Sequence, residues 1–205
     1  MESSLDDPLW GDGRGDDGAT PLSPEDREHL IPTHITLRSE LNEFEARGVS
    51  EAEGWGFDRR RSSSVLLDEK FIRDLHQHML GEVWKWAGTY RTLGANLGVD
   101  PKIIQVELRK LLDDARYWLE YATYSPDEIA VRFHHRLVRI HPFPNGNGRI
   151  SRLMADLLIV AQSGERFAWG RRSLGGDENR KRYLAALRAA DDGDCVPLVV
   201  FARLP

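Results

Sequence analysis

His141 stands at the head of a stretch, His141-Pro142-Phe143-Pro144-Asn145-Gly146-Asn147-Gly148-Arg149-Ile150-Ser151-Arg152, whose residue types suit the handling of phosphate. The two glycines flanking Asn147 let the backbone turn sharply and present consecutive N–H groups. A helix starting directly afterwards adds the positive end of its dipole. Arg149 and Arg152 are three apart, so they share one side of that helix, opposite its apolar stripe and at the end where the turn lies. A charge-assisted hydrogen bond is worth about 1.5 to 3 kcal/mol. Two guanidinium groups and a nest of amides would therefore hold a polyphosphate without help from the overall charge of the chain. His141 has an ordinary pKa of about 6.5 and accepts a proton near neutrality. A base at the mouth of a phosphate cradle implies attack of an activated hydroxyl on phosphorus. A plain turn before a capped helix would explain an isolated Gly-x-Gly, but not His, two glycines, Asn and two spaced arginines in one loop.

Such a loop needs a firm helix on either side. Ser125-Pro126-Asp127-Glu128 combines a capping Ser, Pro at the first helical position and a Glu three residues on that can bond back to the cap, which predicts a helix to about Ile140. Beyond the loop, Ile150, Leu153, Met154, Leu157, Leu158 and Ala161 repeat at helical spacing up to Gly164 and predict a deeply buried helix. Further helices are expected over about 68–81, 103–121 and 177–190. A short amphipathic one, with Ile35, Leu37, Leu41 and Phe44, is expected to stop near Gly48. Trp84 and Trp86 are assigned to the core, and 91–101 to a loop or small hairpin. The fold class expected is mainly α.

The 205 residues suit one sizeable core with an appendage. A net charge of -5 offers no broad cationic field, so neither nucleic acid nor an acidic membrane is expected as a direct partner. The longest apolar runs fall far short of the roughly 20 residues a membrane helix needs. Cys195 is the only cysteine, which excludes an internal disulfide, a Cys-based zinc site and a dithiol redox pair, and suits a reducing cytoplasm. His134, His135 and His141 lack an acidic partner at metalloprotease spacing, which disfavours zinc, and His134 reads as a packed core residue.

At this point the loop resembles the signature of the Fic (Fic/DOC) family, His-x-Phe-x-(Asp or Glu)-Gly-Asn-Gly-Arg-x-x-Arg, at every position but one. Similarity extends over roughly residues 30 to 203. Trp86-Ala87-Gly88-Thr89-Tyr90-Arg91 resembles the approach to the family's flap, and Phe133-His134-His135 the approach to its motif. Gly18-Ala19-Thr20-Pro21-Leu22 and Glu40-Leu41-Asn42-Glu43 are similar to the group called mobile mystery protein B. The resemblance implies a Fic-type helical bundle with a small β-hairpin flap at about 94–104. The organisation expected is a flexible acidic tail at 1–24, a helical and inhibitory segment at 25–60, and a core domain at 61–205.

The activity implied is protein adenylyltransfer in the cytoplasm. His141 would deprotonate a Ser, Thr or Tyr hydroxyl of a target protein, which attacks the α-phosphate of ATP. Gly146, Asn147 and Gly148 would cradle phosphates, Arg149 and Arg152 would hold the β and γ groups, and Tyr183 would line the nucleotide pocket or anchor its helix. An antitoxin-like partner protein is compatible with the resemblance. A Doc-like phosphotransferase is the nearest alternative, although Gly148 favours AMP transfer, and a catalytically silent nucleotide-binding interaction protein is a second.

The departure is Asn145, where the family carries an acidic magnesium ligand. An amide keeps an oxygen but loses the charge, so weak magnesium binding is expected, with a requirement that Asn145→Asp would reduce. The family's inhibitory helix, (Ser or Thr)-x-x-x-Glu-(Gly or Asn), is matched in its first part by Thr36 to Glu40 and by Ser39 to Glu43. The expectation is that Glu40 or Glu43 restrains Arg152.

Overall fold

The computed structural model describes residues 24–59, 61–94, 98–170 and 176–205. The acidic tail expected at 1–24 lies, but for Pro24, outside them. The architecture is helical: α1 (Pro24–His29), α2 (Arg38–Phe57), α3 (Ser63–Leu66), α4 (Glu69–Leu80), a 3-10 turn (Pro101–Ile103), α5 (Ile104–Glu120), α6 (Pro126–Ile140), α7 (Asn147–Ala161), α8 (Gly176–Asp191) and α9 (Val196–Arg203).

Helix α7 is the axis of the molecule. Helix α6 packs along it, α2, α3 and α4 also pack against it, α5 and α9 lie against α6, and α8 pairs with α9. Covered on several sides, α7 buries polar as well as apolar residues, among them Asn147, Arg149, Ser151, Arg152 and Asp156. Side-chain caps close two helix starts, the expected one at Ser125 and a second at Asp68. Asp68 accepts from the Lys70 and Phe71 N–H groups of α4, and Ser125 Oγ accepts from Glu128 N at 3.3 Å at the start of α6. The return bond expected from Glu128 is absent. Its carboxylate takes the Nε of Arg132, one turn on, at 2.9 Å, a charged donor in place of a neutral amide.

Two expectations are corrected. The N-terminal helix does not stop at Gly48 but runs to Phe57, with Leu41, Glu45, Val49, Ala52 and Gly56 on its buried face. Gly48 is a contact rather than a terminus: a Cβ there would sit 2.3 Å from the Met79 carbonyl oxygen, so its absence is what lets α2 cross α4 closely. Of the expected β-hairpin flap, residues 95–97 lie outside the described residues, and the described ones, 94 and 98–104, contain no strand. The carbonyls of Leu93 and Val99 bond to the guanidinium of Arg91 instead of to a facing strand. Beyond Val99 the chain winds into the 3-10 turn, capped by Asp100, that leads into α5.

Ahead of α2 the chain is pinned to the tryptophan segment by an isolated antiparallel bridge, Leu30 with Trp84, and by the bonds Ile31 N to Val83 O (2.9 Å) and Lys85 N to His29 O (3.0 Å). Trp84 is buried, as its assignment to the core required, and stacks on the half-buried Trp86 at 5.1 Å. Among the described residues no helix is long and apolar enough to cross a membrane.

Candidate active site

His141 closes α6 in the left-handed conformation, φ 52° and ψ 59°, with its N–H on Leu137 O at 3.1 Å. This region is unfavourable for a residue with a Cβ, and it turns the chain abruptly out of the helix into the loop. The ring is fixed by Nδ1, 3.3 Å from Val138 O. A carbonyl only accepts, so Nδ1 carries the hydrogen and Nε2 keeps its lone pair. Burial lowers the pKa of His141, the Val138 carbonyl opposes that shift, and the positive charge of Arg91 adds to it. At neutral pH the ring is a free base.

Residues 142–146 alone separate this base from the start of α7. Asn147 clamps that loop: its Oδ1 accepts from Phe143 N at 2.9 Å and its Nδ2 donates to Phe143 O at 2.8 Å. Its side chain is thus spent on holding the loop, and only its N–H is left for an anion. Phe143 stacks on His76 with ring centroids 3.8 Å apart. His76 in turn bonds Asn145 O through Nε2 (3.0 Å) and accepts the Gly88 N–H on Nδ1 (2.9 Å). Burial lowers its pKa to about 3, so both bonds are those of a neutral ring.

Gly146 has φ 76°, a left-handed torsion that favours glycine at this cap of α7, and a Cβ there would lie 2.9 Å from the Leu80 side chain. With no side-chain cap on α7, the N–H groups of Asn147, Gly148 and Arg149 have no acceptor among the described residues. Three open amides at the positive end of a helix form an anion nest.

The expectation for the two arginines of the motif is one side of α7, opposite its apolar stripe. Both are buried there, at 2% and 1% exposure, because neighbouring helices cover that side. Arg149 faces α2, where its Nη1 pairs with Glu45 Oε2 at 3.0 Å while Glu45 Oε1 accepts the Trp84 indole N–H at 2.5 Å. Among the described residues Arg149 Nε and Nη2 have no hydrogen-bond partner. Arg152 lies 5.5 Å over the ring of Tyr183, on α8. The Tyr183 hydroxyl bonds Nε2 of the buried His134 at 3.1 Å, so Tyr183 offers the site support for Arg152, and His134 is the core residue its sequence context indicated.

Glu40 and Glu43 do not reach Arg152. The Glu40 carboxylate folds back onto the Thr36 and Leu37 N–H groups (2.9 and 3.1 Å), which lower its pKa, and Glu43 is exposed. The acid that α2 carries to the motif is Glu45, and it meets the first arginine, not the second. A carboxylate in the otherwise apolar series Leu41, Val49, Ala52 was the signal for it in the sequence. His76, on the apolar face of α4 beside Ile72, Leu75 and Met79, carried the same kind of signal.

The magnesium implied by the family resemblance does not fit the side chains at this loop. Asn145 Oδ1 accepts the N–H of its own neighbour, Gly146, at 2.6 Å. Among the described residues no three His, Cys, Asp or Glu side chains gather into a cation-holding group.

Comparison with known proteins agrees with this geometry. The Fic/DOC family profile matches residues 66–159, which span α4 to α7 and contain His141, the loop and both arginines. The chain is 31% identical to protein adenylyltransferase fic-1 of Caenorhabditis elegans over 148 residues, 68% of this chain and 27% of that protein. It thus spans little more than a quarter of the nematode relative. It is 28% identical to the probable protein adenylyltransferase y4lH of Sinorhizobium fredii, over 83% of this chain and 91% of the relative. A solved structure of part of Fic-1 from C. elegans superposes with a TM-score of 0.65 at 26% identity, covering 86% of this chain and 51% of that one. With its motif, its helical architecture and its relatives in agreement, the chain belongs to the Fic/DOC family.

Proposed function

We propose that this protein is an adenylyltransferase that moves AMP from ATP onto a Ser, Thr or Tyr hydroxyl of a target protein. The observation that carries the reading is the pinned ring of His141. Its Nδ1 is committed to Val138 O, so Nε2 is left with a free lone pair, one short loop away from an anion nest. The relatives named as protein adenylyltransferases support the choice of AMP as the group transferred. In this reading Nε2 of His141 takes the proton of the target hydroxyl, whose oxygen bonds the α-phosphorus as pyrophosphate leaves. The amides of Asn147, Gly148 and Arg149 bind phosphate oxygens, and Arg149 and Arg152 supply cationic charge to the polyphosphate. No protein side chain is assigned to magnesium. The ion enters as a counter-ion of the substrate.

The structure is of a restrained form in the same reading. Arg149 cannot give Nη1 to a phosphate while Glu45 holds it, so the α2 helix competes with ATP for that arginine. Incubation with ATP labelled separately at the α and γ positions tests the activity. Label from α alone, absent in His141→Ala, is expected. Label from γ alone would mean phosphotransfer, and ATP bound with neither label transferred would mean a silent binder.

A further inference from the structure

Arg91 is buried, at 6% exposure, yet among the described residues it has no carboxylate within ion-pair distance. Its guanidinium is spent on backbone carbonyls. Nε donates to His141 O at 2.6 Å, Nη1 to Leu93 O at 3.1 Å, and Nη2 to Val99 O and, at 3.4 Å, to Ile140 O. Its own N–H donates to Pro142 O at 3.0 Å. One set of acceptors is the end of α6 and the first residues of the motif; the other lies on the segment that faces it.

Gly98 completes the contact. At φ 102° it has no Cβ, and one placed there would lie 2.6 Å from Arg91 Nη2 and 2.6 Å from His141 Cβ. Only a planar fork with five N–H donors reaches four carbonyls in different directions, so a lysine cannot reproduce the arrangement. Burying a cation against carbonyl dipoles, with Asp100 acting on it only through space, carries a desolvation cost, which a role in surface packing would not require.

We propose that Arg91 is a positioning residue that joins the base to the segment packed against it, holding the His141 backbone and residues Leu93, Gly98 and Val99 in one register. A target hydroxyl brought to Nε2 of His141 then meets a base already in place. The inference rests on the adenylyltransferase reading, and its test has an arm independent of activity.

The activity arm follows self-modification of the full chain with α-labelled ATP. The other arm follows the His141 imidazole by NMR titration without nucleotide. Arg91→Lys keeps the charge and loses the fork: turnover falls by about tenfold or more, the KM for ATP is unchanged, and the acid limb of the pH profile stays in place. Arg91→Gln loses turnover likewise. Because Arg91 is the charged side chain acting on His141, its removal also moves the acid limb and the NMR titration to higher pH. Turnover within twofold of the parent in both variants, a loss confined to the KM for ATP, or an unmoved His141 titration in Arg91→Gln overturns the proposal. Should circular dichroism show either variant unfolded, Gly98→Ala, which keeps Arg91 and crowds the same contact, is expected to lower turnover in its place, and parent-like turnover in it overturns the proposal. A parent protein that transfers no label removes the adenylyltransferase reading, and the titration still decides the contact of Arg91 with the base.

Discussion

The buried ion pair between Glu45 of α2 and Arg149, the arginine proposed to bind phosphate, carries opposite consequences for stability and for ligand binding. Glu45 and Arg149 are both almost fully buried, and the second carboxylate oxygen is held by Trp84. Removing one charge leaves the other without its partner in a low-dielectric site, at a cost on the order of 3 kcal/mol. Glu45→Gln should therefore melt at a lower temperature than the parent protein without nucleotide. The polyphosphate of ATP can supply the missing anion, so ATP should raise the melting temperature of Glu45→Gln by more than it raises that of the parent, and label transfer should increase. An ATP-induced shift no larger than that of the parent would remove Glu45 as a competitor for the nucleotide. Glu40→Gln should also lower the melting temperature but leave the ATP-induced shift as in the parent, since its carboxylate caps its own helix and reaches no arginine of the motif.

At the scale of the element, α2 shows that the same residue type has different roles one or two turns apart. Gly48 lies where α2 crosses α4, and an added methyl group would collide with the Met79 carbonyl at 2.3 Å, a backbone atom that cannot swing aside. Gly54, on the exposed side of the same helix, would place its Cβ in open space. Gly48→Ala should destabilise the protein by about 1 to 3 kcal/mol, as overpacking does. Gly54→Ala should stabilise it by about 0.5 to 1 kcal/mol through the lower entropy of the unfolded chain and better helix propensity. Urea unfolding of the two variants checks the opposite signs. Equal shifts would mean that α2 does not cross α4 as closely as described. Because Glu45 is one turn from Gly48, the first variant should also loosen the hold on Arg149.

Across the whole molecule, the buried histidines tie stability to pH. His76 links α4, the Gly88 turn and the motif loop as a neutral ring, and burial holds its pKa near 3. Below about pH 6.5 the unfolded chain takes a proton on this ring and the folded chain does not. Stability is therefore complete above that pH and falls as the pH drops towards about 3, by up to about 1.4 kcal/mol per pH unit. Burial of His134 acts in the same direction. Guanidinium unfolding between pH 7 and 4 should give a shallower loss for His76→Gln than for the parent protein, even if the variant starts from a lower value. Parallel curves would mean that the acid sensitivity arises elsewhere.

Local order was legible in the sequence because local forces set it. Ser125 with Pro126, Asp68 at its cap and the spacing from Ile150 to Ala161 each fix a helix through torsion, capping and periodic burial within a few residues. The loop after His141 could likewise be read as a candidate anion cradle, because two glycines, a helix start and two spaced arginines fall within a few residues of one another. The sequence marks Glu45 only as a carboxylate within an apolar series and does not say that it meets the motif. Glu40, Glu43 and Glu45 differ only in the face they present, and the packing of α2 on α4 and α7 selects Glu45. Nor could it say that Arg91 would bond to His141, fifty positions away, or that His76 would lie under Phe143. Those contacts depend on how whole helices come to rest against α7, and burial and shape across the core decide that, not the neighbours of any one residue.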